Sequence, residues 1–290
     1  MIDLRVGLLG ATSFVGRCLI PLLLESDIRV CAFSRKLPQP ATDGVEWRSL
    51  SAPAPTALGQ DRIEHWLCVA PIWVLPDCFS LLEASGVRRI VALSSTSLFT
   101  KEGSSDLKEQ NVARRLRDAE ACVQAWAKKC NVEWVILRPT LIYGRGEDKN
   151  IAEIARFIGR FGFFPLLGRA NGLRQPVHAK DVACACLAAL QARGAVNSAY
   201  NISGGEILPY RDMVGRIFVA MGRRCRLVSV PLWAFRVAVK LLRFLPRYRH
   251  WSAAMAERMN RDLVFDHSDA KKDLGFSPRP FQLSHQDLPI

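Results

Sequence analysis

A glycine-bearing turn near the start constrains this chain more than any other feature. Residues 4–9, Leu-Arg-Val-Gly-Leu-Leu, form a short apolar run of the kind that makes a buried parallel strand. Gly10-Ala11-Thr12-Ser13-Phe14-Val15-Gly16 follows, and residues 14–24 carry helical spacing. Gly10 permits a tight turn out of the strand, and Gly16 lets the helix lie close against it. The free N–H groups at such a helix start converge on one point and can cradle a pyrophosphate. A glycine pattern alone says little, but strand, turn and helix in that order make it specific for dinucleotide binding.

The same alternation continues. Strands are expected at 28–33, 66–70, 89–94 and 133–138, and helices at 77–85 and 106–130, with Gly86 ending the first of these. Strands alternating with helices predict an α/β fold, a Rossmann-type doubly wound parallel sheet. After about Gly144 the rhythm changes. Helices are expected at 151–161, 182–192 and 210–221, and a short strand at 200–202. This reads as a smaller C-terminal substrate lobe over the carboxyl edge of the sheet, where open α/β sheets bind ligands. The expected division is a dinucleotide-binding core over 1–170 and a lobe over 171–290, with the chain crossing back to the sheet.

Composition narrows the classes. The chain has 290 residues, 49% of them hydrophobic, enough for a sizeable core. No uncharged run reaches the roughly 18 residues of a membrane span. The first residues lead straight into a strand instead of a leader, so a cytoplasmic protein is expected. The nine cysteines include no CxxC pair, so neither a disulfide framework nor a metal site is expected. The net charge is +13, with much of it between Arg211 and Lys272. No zinc-finger spacing or RNA-binding aromatic motif accompanies it, so nucleic acid is not the expected partner. Anionic small ligands or a membrane surface suit it better.

The end of the second strand bears on the cofactor. NAD-selective sites usually carry an acidic residue there to hold the ribose hydroxyls. Here the residues are Ser34-Arg35-Lys36. Two cations can pair with a 2′-phosphate and no carboxylate repels it, so NADP(H) is favoured, with NAD(H) still open.

Several later motifs occur in a familiar order. They are Ser94-Ser95-Thr96 at a strand end, Arg138-Pro139-Thr140-Leu141-Ile142-Tyr143-Gly144, and Arg174-Gln175-Pro176-Val177-His178 followed by Asp181. Tyr200-Asn201-Ile202-Ser203-Gly204-Gly205 and Asp269-Ala270-Lys271-Lys272-Asp273-Leu274-Gly275-Phe276-Ser277-Pro278 complete the series. With the glycine turn, they resemble the NAD(P)-dependent epimerase/dehydratase family, the nucleotide-sugar branch of the extended short-chain dehydrogenase/reductase superfamily. The resemblance implies an oxidoreductase acting on a nucleotide-diphosphate sugar. It implies a cofactor site of Gly10, Thr12, Ser13, Phe14, Val15, Gly16, Ser34, Arg35, Lys36, Ala70, Pro71, Ser94, Pro139, Thr140 and Leu141. It also implies that Arg174 and Arg258 clamp the substrate diphosphate, for which guanidinium forks are suited.

The chain departs from that family at the reaction centre. The resemblance calls for Tyr-x-x-x-Lys on the long helix, where the tyrosine exchanges a proton and the lysine lowers its pKa. Aligning on Ala119-Glu120 puts Val112 and Leu116 at those positions. No tyrosine occurs between Ile2 and Ile142. Ser95 and Thr96 remain as catalytic candidates that can hold a substrate hydroxyl. Arg115 is a candidate neighbour of the ribose, and Lys101, Glu102 and Tyr143 are alternative proton carriers that the sequence does not choose among. His178 reads as structural. Ser13 stands where the middle glycine of the turn is usual. The alternative to an enzyme is a non-catalytic NADP(H)-binding sensor or assembly protein. Residues 231–251 mix Trp, Phe and Leu with Arg and Lys, a composition that allows peripheral membrane contact. A homodimer is also allowed.

Overall fold

The computed structural model describes residues 4–37, 42–50, 62–231, 233 and 253–289, the side chains of 253–256 excepted. Residues 234–251 of the apolar basic segment lie outside the described residues.

The chain builds a seven-stranded parallel sheet with helices on both faces. In chain order the Rossmann elements are β1 (Arg5–Leu9), α1 (Phe14–Glu25), β2 (Arg29–Ser34), β3 (Val45–Ser49), β4 (His65–Cys68), α2 (Phe79–Ala84), β5 (Arg89–Leu93), α3 (Ser97–Thr100), α4 (Leu107–Cys130) and β6 (Glu133–Pro139). There follow β7 (Ile142–Tyr143), α5 (Ile151–Phe161), β8 (Phe164–Leu167), β9 (Leu173–Arg174), β10 (Val177–His178), α6 (Ala179–Gln191), β11 (Ser198–Ile202), β12 (Leu208–Pro209), α7 (Tyr210–Ala220) and β13 (Leu227–Val230). Two further helices span Ala253–Asn260 and Ser268–Leu274.

The sheet runs β11-β6-β5-β4-β1-β2-β3. The strand order reverses between β1 and β4, and the crevice beyond their carboxyl ends is the place such folds use for ligands. Central strands are nearly all apolar because helices cover both faces. On one face α1, α6 and the helix Ser268–Leu274 share a core with Val6, Leu8, Val30, Leu67 and Val135. On the other, α4 packs with Trp66, Ile72, Leu75 and Ile136. Trp66 fits over Gly7, where a Cβ would come within 2.5 Å of the indole.

Local signals explain the long helix. Asp106 caps α4 by accepting from the Lys108 N–H at 2.8 Å, and Asn131 closes it in a left-handed conformation. Gly86, at φ +72°, follows the end of α2 as expected. The expected helix at 77–85 is shorter, because tight turns over Ile72–Val74 and Pro76–Cys78 precede it. Strand β3 and the short strands of the lobe were not expected. The lobe strands β7, β9, β10 and β12 have two residues each, too few for any alternation to show.

A division at residue 170 does not follow the packing. Tyr143, α5 and β8 precede that point yet join a third core with Met213, Ile217, Phe218 and Phe281. In the other direction, α6 and β11 return to the Rossmann core. Two cores can exchange segments this way because a sheet edge accepts any strand of the right pattern, whatever its place in the chain.

Candidate functional site

The β1–α1 turn is built as the sequence predicts. Gly10 has φ +85°, and a Cβ there would lie 2.4 Å from the Ala70 nitrogen at the end of β4. A Cβ on Gly16 would lie 2.4 Å from the Gly10 oxygen. The two glycines thus draw the ends of β1, α1 and β4 into one close cluster, with Ala70 and Pro71 beside it. Ser13 is not a fault in the motif. Its hydroxyl oxygen accepts from the Gly16 N–H at 3.0 Å and caps α1, satisfying one of the free donors at the helix start. Thr12 is exposed, Ser13 and Phe14 are half-buried, and Val15 anchors the helix in the core.

At the end of β2, Arg35 and Lys36 are exposed. The Ser34 hydroxyl donates to the Lys36 carbonyl at 2.6 Å and folds the turn that presents both cations. β2 lies directly beside β1, so this cationic end borders the glycine turn.

Beyond β5, three hydroxyl residues have three different environments. The Ser94 side chain is buried and its Oγ has no hydrogen-bond partner. Ser95 Oγ accepts from the Ser97 N–H at 3.1 Å. Thr96 Oγ1 donates to the Pro139 carbonyl at 3.2 Å. Buried hydroxyls seldom lack partners. An unpartnered Ser94 beside the Pro139–Leu141 loop fits a position where a bound ligand supplies the missing bond. In that loop, Thr140 Oγ1 donates to the Gln175 carbonyl at 2.5 Å and its N–H donates to Ile202, so the loop is held by its backbone and one side chain.

The long helix presents no proton carrier at the aligned positions. Leu116 is 3% exposed, and Val112 packs against the same core. Both belong to the cluster that includes Ile72 and Leu75, in and beside the turn against which α4 lies. Arg115 stacks over Trp73 at 4.5 Å instead. Of the other candidates, Glu102 is paired with Arg117, whose hydrogen bonds hold its carboxyl below the usual range. Burial pushes the Lys101 ammonium down from its ordinary pKa. Tyr143 is fully buried, donates to the Gln282 carbonyl at 3.2 Å, and is pushed up to about 12 by desolvation. Such a phenol is a poor base at neutral pH.

His178 has a structural setting, as expected. Its Nδ1 accepts from the Lys180 N–H at 3.1 Å and caps α6, which leaves Nε2 to donate to Asp287 at 3.1 Å. Burial pushes the Asp287 carboxyl up, but hydrogen bonds from His178 and Ser284 outweigh it and hold the group well below its ordinary value.

The two proposed phosphate-binding arginines come together but not as a free clamp. Arg174 is 4% exposed. Its guanidinium donates to the carbonyls of Leu173 and Arg261 at 2.8 Å and to that of Arg258. It also lies 5.2 Å from the Tyr210 ring centre, and desolvation lowers its pKa to about 10, so it stays charged at neutral pH. Arg258 pairs with Glu109 on α4. In this arrangement Arg174 ties the helix Ala253–Asn260 to β9, and a ligand phosphate has to compete with backbone carbonyls for it. The sequence motif located the corner but could not show these competing acceptors.

Sequence reasoning missed the pair behind the site. Glu120, 5% exposed, receives Arg138 through Nε at 3.0 Å and Nη2 at 2.5 Å, joining α4 to the end of β6. A buried acid on an otherwise apolar helix face and an arginine just before a proline were the available signals.

The comparisons with known proteins agree with this architecture. The model of the NAD dependent epimerase/dehydratase family matches residues 77–203. That stretch is similar to the family. It holds the hydroxyl strand end, α4 and the Pro139 loop. UDP-glucose 4-epimerase of Vibrio cholerae is 24% identical over 204 residues, covering 67% of this chain and 60% of that protein. The uncharacterized protein y4nG of Sinorhizobium fredii is 24% identical over 243 residues, covering 76% of this chain and 60% of that protein. The chain therefore spans about 60% of the length of these relatives. The crystal structure of UDP-glucuronic acid 4-epimerase from Bacillus cereus in complex with NAD superposes with a TM-score of 0.69 at 17% identity, covering 98% of this chain and 95% of that one. The shared fold is a Rossmann-type sheet. Among the described residues, no group of acidic, His and Cys side chains could hold a metal ion, and no helix is long and apolar enough to cross a membrane.

Proposed function

We propose that this protein is an NADP(H)-dependent oxidoreductase of the epimerase/dehydratase kind that acts on a nucleotide-diphosphate sugar without the usual Tyr-x-x-x-Lys pair. The observation that carries the reading is the cradle at the β1/β4 reversal, where Gly10 and Gly16 leave no room for a Cβ and Arg35 and Lys36 stand exposed beside it. The residues fit a dinucleotide. The start of α1 and the turn before it would hold the pyrophosphate, Arg35 and Lys36 a 2′-phosphate, and Ser94 with Pro139, Thr140 and Leu141 the nicotinamide end. The bound nicotinamide supplies the hydride chemistry.

This chain's own residues contribute position more than proton transfer. Ser95 and Thr96 would orient a substrate hydroxyl, Thr96 only after giving up its bond to the Pro139 carbonyl, and neither hydroxyl is a base at neutral pH. Arg174 and Arg258 would meet the substrate diphosphate after giving up carbonyl and Glu109 partners, an exchange favoured by bidentate pairing to phosphate. Nine cysteines with no disulfide framework suit a reducing cytoplasm.

A second reading is supported by the face of α4. Val112 and Leu116, at the positions aligned with the family's Tyr and Lys, are packed aliphatic side chains, which suits a dinucleotide-binding sensor or assembly protein. The deciding experiment incubates the purified protein with NADP⁺ or NADPH and a panel of nucleotide sugars, followed by NMR and mass spectrometry. Turnover of one sugar establishes the enzyme. Cofactor binding without turnover, and without affinity for any nucleotide sugar, supports the second reading.

A further inference from the structure

The far end of the lobe carries exposed apolar and cationic side chains together. Helices α5 and α7 run side by side with their carboxyl ends together, since Arg223, just beyond α7, donates to the carbonyls of Ile158 and Gly159 near the end of α5. Strand β13 then runs beside β8, with Leu227 opposite Phe164, which sets Phe163 next to Arg226. This one end therefore gathers exposed apolar and cationic side chains. Phe161 is 49% exposed, Phe163 37%, Val219 75% and Val228 47%. Arg224 and Arg226 are exposed beside them, and Arg160 lies over the Phe161 ring at 5.2 Å.

Among the described residues, no carboxylate forms an ion pair with Arg160, Arg224 or Arg226. The sequence has no Asp or Glu between Glu153 and Asp181, nor between Asp212 and Glu257. Glu153 and Asp212 lie in the first turns of α5 and α7, at the opposite ends of those helices. Two helix carboxyl ends contribute only partial negative charge, and Arg223 neutralises part of it by bonding the α5 carbonyls. The face is thus net positive with aromatic and aliphatic groups standing out of it.

We propose that this face docks on an anionic lipid surface. Arginines meet the headgroup charge while Phe161, Phe163, Val219 and Val228 enter the boundary region, the division of labour used by interfacial protein surfaces. A nucleic-acid strand suits the face less well. Val219 and Val228 offer no ring for base stacking, and Phe161 is already flanked by Arg160 and by Phe157 at 4.6 Å. The residues concerned all lie outside the cofactor cleft, so the proposal does not depend on the reaction assigned to it.

The test is cosedimentation of the full chain with phosphatidylcholine vesicles, with and without phosphatidylglycerol. The expected result is binding that needs phosphatidylglycerol and weakens with salt. The double variants Arg224→Glu/Arg226→Glu and Phe161→Ser/Phe163→Ser should each weaken it by about tenfold or more, with unchanged NADPH binding and unchanged cooperative melting. Both arginines are exposed, so that variant reports even if the phenylalanine variant folds poorly. Absence of sedimentation with phosphatidylglycerol overturns the proposal, as does full binding by the arginine variant. Equal binding to both vesicle types, or displacement of the vesicles by single-stranded RNA, overturns it too. So does a dimer in analytical ultracentrifugation that the arginine variant abolishes while leaving vesicle binding intact.

Discussion

The β1–α1 turn and the exposed-to-buried face of α4 stand on neighbouring parts of one sheet, yet they have opposite characters. At the turn every close approach is kept: Gly10 and Gly16 allow backbone contacts that no side chain permits, and Ser13 repairs its own departure from the motif by capping the helix. On α4 the two positions aligned with the family's Tyr and Lys, Val112 and Leu116, are aliphatic, and Leu116 is sunk into a core with Ile72 and Leu75. The turn keeps the close backbone approaches of the proposed dinucleotide cradle, while the aligned positions on α4 carry aliphatic side chains. A cleft can keep its cofactor geometry independently of its reaction chemistry, because backbone shape carries the first and individual side chains carry the second.

The strongest attack on this contrast is Gly16→Val. Its branched side chain meets the Gly10 and Ala11 carbonyls, so α1 must move and dinucleotide affinity should be lost, as read by calorimetric titration with NADPH. Retained affinity would mean that the turn is not the cofactor cradle. Next is Leu116→Ala, expected to cost about 2–5 kcal/mol in urea unfolding, with little change in NADPH affinity. A small cost together with lost cofactor binding would give Leu116 a place in the cleft and dissolve the contrast.

Asp287→Ala sharpens the division between architecture and chemistry. It should cost about 1.5–3 kcal/mol at neutral pH, because a buried charged hydrogen bond to His178 is lost. The folded carboxyl is held below its unfolded value of about 3.9. Its stabilisation is therefore present above that pH and fades as pH falls through the folded value. Parent and variant should converge in stability in acid; a gap that persists at low pH would remove the His178–Asp287 bond as its cause. The smallest effect is expected of Arg35→Ala, about 10- to 100-fold weaker NADPH binding, equivalent to about 1.4–2.8 kcal/mol, with NADH binding unchanged. Equal losses for both nucleotides would show that Arg35 does not read a 2′-phosphate.

The same contrast explains what could be read early. Strands β1, β2, β4, β5 and β6 were visible because buried parallel strands are apolar runs, and α4 because its period and its caps at Asp106 and Asn131 are local. Strand β3, Val-Glu-Trp-Arg-Ser, was hidden by its charged residues, which an edge strand tolerates where a central one does not. The orphaned hydroxyl of Ser94 and the carbonyl partners of Arg174 involve atoms distant in sequence, so no motif announces them.

By itself, then, the sequence determined the alternation of strands and helices, the glycine turn, the cationic end of β2 and the aliphatic residues at 112 and 116. Each of these depends on residues near one another in the chain, where backbone sterics and periodicity act directly. The expected return of the chain to the sheet was given its segments, α6 and β11, only by the tertiary structure, which also decided that Arg174 is engaged by the segment around Arg258 and that two helix ends and a strand assemble a cationic aromatic face. Those outcomes come from long-range packing, in which burial of apolar area chooses among partners that the sequence leaves equally available.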